Sequence, residues 1–201
     1  MSFKVALPKG RLMEDTATVL TDAGWGLDGY HTKARFYRLK SKKYPDVEAK
    51  IFHEKDIPIQ VAVGNYDIGI CGLDWVEELV SKYPNSEVIN LYNLGYGKGA
   101  LYAASAADID RVEEIGSNGQ TVRIASEYPN LAEALAEKLR LKHFVIYPLW
   151  GAAEAYPPEN AELILLPRKT PQELLERGLK PLFKMLDFRA CLIVNKKSLK
   201  N

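Results

Sequence analysis

Residues 56–78, DIPIQVAVGNYDIGICGLDWVEE, constrain this chain more than any other stretch, because they read as helix, turn, buried strand and second helix with almost no filler. Asp56 stands where a carboxylate caps a helix. Pro58 suits the first turn, where its missing N–H costs nothing, and Gly64-Asn65 stop the helix. Asp67 then opens Ile68-Gly69-Ile70-Cys71, too short and too apolar for a surface helix, which predicts a buried parallel strand. Gly72 ends that strand, and Asp74 is placed to cap the next helix, expected over 75–81. Ligands of open α/β sheets lie at the carboxyl ends of the strands, so Cys71-Gly72-Leu73-Asp74 is expected to border a site.

Composition narrows the class without naming a ligand. With 201 residues, 47% hydrophobic and 26% charged, the chain can bury a sizeable core as one large α/β domain or two small lobes. A net charge of +1 gives no global attraction for nucleic acid or anionic membrane, so local clusters must carry any anion recognition. Cys71 and Cys191 lie in separate apolar runs, which suits reduced core thiols rather than a disulfide or metal pair. No run approaches a membrane span and the opening apolar stretch is too short for a signal sequence, so a cytoplasmic location is expected.

Residues 3–7 alternate as a strand, Pro8-Lys9-Gly10 break it, and 11–23 have helical spacing. Gly10 lets the backbone approach a ligand, the helix start offers free N–H groups, and Lys9 and Arg11 add positive charge, which together suggest an anion site. Residues 31–43 gather Lys33, Arg35, Arg38, Lys40, Lys42 and Lys43 around Phe36 and Tyr37. Alternation over 34–39 predicts a strand with one wet face, followed by a strand at 47–52. The cations either solubilise an exposed hairpin or face a phosphate-rich substrate.

Gly95, Gly97 and Gly99 alternate with Tyr96 and Lys98, permitting an anion-facing nest, and 92–99 reads as the crossing between two lobes. Strands are expected at 101–104, 122–125, 144–147 and 163–166, with a helix over 131–141 capped by Asn130. A short helix at 172–175 precedes an apolar strand at 190–194 that returns to the first lobe. The expected fold is therefore α/β, with two lobes, a mainly parallel sheet in each and a ligand cleft between them. The lobes would be 1–93 plus 181–201, and 94–180. No side chain reads as a catalytic acid or base; His31, His53 and His143 read as surface residues.

Taken in order, Ala6-Leu7-Pro8-Lys9-Gly10-Arg11-Leu12, Asp56-Ile57-Pro58, Asp67-Ile68-Gly69-Ile70-Cys71-Gly72-Leu73-Asp74, Tyr128-Pro129-Asn130 and Leu192-Ile193-Val194-Asn195 resemble ATP phosphoribosyltransferase. The length resembles the short form, which works with a catalytically inactive histidyl-tRNA-synthetase-like regulatory subunit. The resemblance implies a fold like the type II periplasmic binding proteins. It also implies transfer of phosphoribose from phosphoribosyl pyrophosphate to N1 of ATP, with Mg2+ accompanying the pyrophosphate, and a homo-oligomer. On this reading Lys9, Gly10 and Arg11 face phosphates, while Asp67, Ile68, Gly69, Asp74 and Tyr128 shape the nucleotide pocket. Lys98 and Glu154 join the substrate-binding set, Glu154 matching the glutamate of the family's Gly-Ser-Val-Glu segment.

The family's phosphoribosyl loop has the form Asp-x-Val-x-Thr-Gly-x-Thr-Leu; here it reads Leu166-Pro167-Arg168-Lys169-Thr170-Pro171-Gln172-Glu173-Leu174. Leu166 replaces the acidic residue, Pro171 the glycine and Glu173 the second threonine. Arg168, Lys169 and Thr170 are the residues left to meet phosphate. His53 stands where the family usually has an arginine ahead of Asp-Val-Pro. A non-catalytic nucleotide- or small-anion-binding protein on the same fold is the alternative these departures raise.

Overall fold

The computed structural model describes residues 2–33, 36–106, 115 and 119–199. In β1 (Phe3–Lys9) Val5 and Leu7 join one buried cluster and Ala6 another, so this strand is covered on both faces. There follow α1 (Met13–Asp22), β2 (Arg38–Lys40), β3 (Val47–His53), α2 (Ile57–Ala62), β4 (Ile68–Gly72), α3 (Leu73–Lys82) and β5 (Val88–Asn93). Next come β6 (Gly99–Ala106), β7 (Val122–Ser126), α4 (Pro129–Lys138), β8 (Phe144–Pro148), β9 (Leu163–Arg168), α5 (Gln172–Leu175), β10 (Leu179–Phe188) and β11 (Ala190–Asn195).

The chain divides into two units, one of Met1–Gly97 with Arg189–Asn201 and the other of Lys98–Phe188. The first holds a sheet ordered β2-β3-β1-β4-β11-β5, and the second a sheet ordered β10-β6-β9-β7-β8. Both sheets are mixed. Parallel pairing joins β3, β1 and β4 in one and β9, β7 and β8 in the other, while β2, β11 and β5 in the first and β6 and β10 in the second are joined by antiparallel pairing. In the first unit, Val5, Leu7, Met13, Leu20 and Ile51 build the core beneath α1. Ala6, Ile57, Val61, Val76 and Ile193 build the core beneath α2 and α3.

Residues 181–188, read from sequence with the first lobe, lie in the second unit, because β10 pairs with β6 from Leu179 to Phe188. Residues 94–97 lie in the first unit, where Leu94 N–H donates to Ala190 O at 2.8 Å and Ala190 N–H to Tyr96 O at 3.0 Å. The strand expected over 34–39 is shorter, Arg38–Lys40, and Arg35 lies outside the described residues. Cys71 and Cys191, far apart in sequence, are buried cross-strand neighbours and both free.

Helix starts differ most from the sequence reading. Asp56 occupies the N-cap of α2 but makes no side-chain cap bond. Gly72, not Asp74, is the N-cap of α3, and Tyr128, not Asn130, that of α4. A capping side chain is available only if nothing stronger claims it, and Asp74 is claimed by an arginine.

Candidate functional site

The carboxyl ends of β1, β3 and β4 carry a buried charge cluster. Gly10 follows β1 with a φ of +96°, a backbone angle that glycine adopts without strain. After this turn Arg11 Nη2 donates to both carboxylate oxygens of Asp74, at 2.9 and 2.8 Å, and Nε donates to Glu54 Oε2 at 3.1 Å. Asp74 has no exposed surface and Glu54 is 7% exposed, so each needs a cation or a proton to remain there. The cluster also explains Gly72: a Cβ at that position would overlap the Asp74 carboxylate and the Arg11 guanidinium. Burial pushes the Glu54 carboxyl up to about 7; Arg11 opposes the rise and Asp74 adds to it.

Arg11, expected to face phosphates, is thus held by two carboxylates. Lys9 is exposed, with its ammonium donating to Tyr37 Oη at 3.2 Å and lying 5.3 Å from that ring's centroid. Glu14 and Asp15 place negative charge in the first turn of α1, which opposes an anion at that helix end. Asp67, Ile68 and Gly69 lie at the other end of β4 from Asp74. The Asp67 carboxylate accepts from Lys4 N–H and Ser198 Oγ–H, each at 2.7 Å. Gly69 is buried, and a Cβ there would press on Ile57 at 2.6 Å.

A second cluster forms in the other unit. Gly151, with a φ of +98°, precedes the short 3-10 turn Ala153–Ala155. Glu154 in that turn accepts from Arg168 Nη2 at 3.1 Å and Arg177 Nη1 at 2.8 Å. Burial works to raise the Glu154 pKa, but hydrogen bonding and the two arginines prevail and hold it below the ordinary carboxylate value. Lys169 and Thr170 are exposed beside Arg168, and Lys98 is exposed ahead of β6. Tyr128 is 2% exposed. Its N–H donates to Ser126 Oγ at 2.9 Å, and Ser126 Oγ–H donates to Leu165 O at 2.7 Å, tying the loop after β7 to β9.

The structure therefore joins Arg11 to Asp74 and Glu154 to Arg168, and keeps Asp67–Gly69 away from the strand ends that carry Lys9 and Asp74. Glu54 and Arg177 escaped the sequence reading. The available signal for Glu54 was its place just ahead of Asp56-Ile57-Pro58; Arg177, just after α5, meets Glu154 only through the tertiary fold, in which α5 packs against β10. Among the described residues, no group of three or more His, Cys, Asp or Glu is placed to hold a metal ion. No described helix is long and apolar enough to cross a membrane.

The family model described as HisG: ATP phosphoribosyltransferase matches residues 53–201. The chain belongs to the ATP phosphoribosyltransferase family. An ATP phosphoribosyltransferase of Sulfurisphaera tokodaii is 33% identical over 202 residues, covering 98% of this chain and 67% of the relative. Against several curated relatives the chain spans slightly less than two thirds of their length, as with 64% in Prosthecochloris aestuarii and 65% in Thermodesulfovibrio yellowstonii. The ATP phosphoribosyl transferase (HisG:HisZ) complex from Thermotoga maritima superposes with a TM-score of 0.80 at 25% identity, covering 99% of this chain and 90% of that one. A Candida albicans protein with the generic periplasmic binding protein fold superposes with a TM-score of 0.58 at 11% identity, covering 100% of this chain and 65% of that one, a likeness of fold alone. The two α/β units thus form the type II periplasmic-binding-protein-like architecture implied by the motifs of this ATP phosphoribosyltransferase family member.

The divergent ATP phosphoribosyltransferase loop is built into the second unit in a particular way. Leu166, at the family's acidic position, is 2% exposed and packed in the core with Tyr102 and Ile164. Pro171 is the N-cap of α5 and brings no N–H. Glu173 Oε2 accepts from Lys169 N–H at 3.4 Å, so this backbone donor already faces a carboxylate.

Proposed function

We propose that this chain transfers phosphoribose from phosphoribosyl pyrophosphate to N1 of ATP, the first step of histidine biosynthesis. The observation that carries this reading is the family match over residues 53–201. The likeness to the Thermotoga maritima HisG:HisZ complex supports it. In the reaction N1 forms a bond to C1′ of the ribose while the bond from C1′ to the pyrophosphate breaks, and the pyrophosphate leaves with the electron pair. Charge grows on the leaving group, so positioned cations do most of the work.

Arg168, Lys169 and Thr170 hold the phosphoribosyl side, where two guanidiniums surround the Glu154 carboxylate and leave positive charge in excess. Lys9 and Lys98 contribute further positive charge toward phosphates, Gly10 lets the backbone approach them, and Tyr128 shapes the nucleotide pocket. Arg11 and Asp74, with Glu54, set the shape of the Gly10 turn. Asp67, Ile68 and Gly69 support the strand that carries Asp74. Mg2+ enters with the pyrophosphate substrate, bound through phosphate oxygens and water. The working assembly contains further copies of this chain and a HisZ-like regulatory subunit, and operates in the cytoplasm.

The test is to mix the protein with ATP, phosphoribosyl pyrophosphate and Mg2+, with and without such a subunit, and follow the absorbance of the adduct. Turnover is expected. Absence of turnover in every condition, together with undetectable binding of phosphoribosyl pyrophosphate, would overturn the enzyme and leave a nucleotide- or anion-binding protein.

A further inference from the structure

The face of the first sheet that lies beneath α2 changes character beyond β1. Ala6 on that face is buried with Ile57 and Val61. Two residues earlier Lys4 is exposed, and the register carries positive charge outward from it. Lys4 stands beside Glu48 and Glu48 beside Lys40, while Ala6 stands beside Lys50 and Lys50 beside Arg38. Cross-strand partners share a face, so four cations surround one carboxylate. Arg38 and Lys50 are directly opposite in an antiparallel pair, where like charges destabilise a sheet.

Among the described residues, none of the four cations is in an ion pair. Lys50 lies instead over the Phe52 ring, 5.0 Å from its centroid. Phe52 meets Tyr66 edge to face, with centroids 5.1 Å apart. Burial raises the Tyr66 pKa and the Arg38 charge opposes that rise, so the guanidinium acts on the phenol. These groups line an open cavity of about 690 Å³, within the range of small-molecule sites.

We propose that this groove is a second anion site, for a small ligand that joins a phosphate or diphosphate to a planar ring: a nucleoside phosphate. The phosphate relieves the unneutralised Arg38–Lys50 pair through charge-assisted hydrogen bonds, and the Phe52–Tyr66 pair supplies the apolar wall for the ring. The groove opens on the sheet face rather than at the carboxyl ends of the strands, so it is separate from the loops assigned to the transferase and does not depend on that assignment.

Lysine acylation read by mass spectrometry tests this on the full chain, with ADP, inorganic diphosphate or adenosine as probes. ADP is expected to protect Lys40 and Lys50, and to protect them equally in a Lys9→Ala/Lys169→Ala variant, in which the loops proposed for substrate are weakened. In Arg38→Ala/Lys50→Ala, titrated through Lys40, the ADP affinity should fall about tenfold or more. Diphosphate should protect less than ADP, and adenosine least. Unchanged labelling of Lys40 and Lys50 with millimolar ADP would overturn the site, as would protection that disappears in Lys9→Ala/Lys169→Ala. Protection by diphosphate as strong as that by ADP would overturn the nucleoside part of the assignment.

Discussion

Glu54 follows β3 in one unit and Glu154 lies in the loop after β8 in the other; each meets arginine, yet their acidities move in opposite directions. Glu54 shares one guanidinium with a second, fully buried carboxylate, and its own side chain is 8% exposed. Glu154 is 28% exposed and receives two guanidiniums. Burial works against ionisation at both sites; it prevails at the deeply buried Glu54, whereas at the more open Glu154 hydrogen bonding and two arginines outweigh it. The contrast extends to charge: in the first cluster the guanidinium is neutralised by two carboxylates, whereas the second keeps positive charge in excess, in keeping with the phosphate role proposed for that loop.

Removing the arginines probes this contrast most strongly. Arg11→Ala leaves Asp74 buried without its guanidinium and should cost roughly 3–5 kcal/mol in urea unfolding. Arg177→Ala, at a partly exposed pair, should cost less than about 1 kcal/mol. A loss under about 1 kcal/mol for Arg11→Ala would break the comparison, because a buried pair cannot be opened so cheaply.

Acidity is the next test. Glu54 has a folded pKa of about 7 against an ordinary 4.5, so the folded protein binds the proton more tightly. The resulting stability is fully present below the ordinary value and is lost as pH rises through about 7. Glu54→Gln should remove this slope, worth roughly 3 kcal/mol, and be more stable than the parent at pH about 8. Equal stability of the two across this window would remove Glu54 as the titrating group.

The loop offers a smaller effect, read on ligand binding. Glu173→Thr removes the carboxylate facing Lys169 N–H and should tighten phosphoribosyl pyrophosphate binding about tenfold, or about 1.4 kcal/mol, by calorimetry. Unchanged affinity would mean that the phosphate does not use this donor. The smallest effect is at Glu154, whose pKa is lowered. Its contribution is present above the ordinary carboxylate range and is lost as pH falls through the lowered value, the reverse of Glu54. Glu154→Gln should flatten the acid limb by no more than about 1 kcal/mol, read by unfolding at acidic pH.

Local pattern determined much of this protein. The run Ile68-Gly69-Ile70-Cys71 announces β4, the short helix α5 (Gln172–Leu175) coincides with its sequence reading, and the apolar run ending at Val194 announces β11. The two strands depend on burial along a few consecutive residues, which an apolar run reports directly. The strand β10 was harder to place, because its half-buried residues present no apolar run and its side of the molecule is set by pairing with β6. The same distinction governs the opening turn. Sequence placed Lys9, Gly10 and Arg11 after a strand and Asp74 after another, both at ends where α/β folds carry function. Only the tertiary structure joined Arg11 to carboxylates 43 and 63 residues away, because the parallel crossovers bring β1, β3 and β4 side by side. A charge declares itself in the sequence, but whether it meets solvent, ligand or a buried partner is decided by which strand lies next to it.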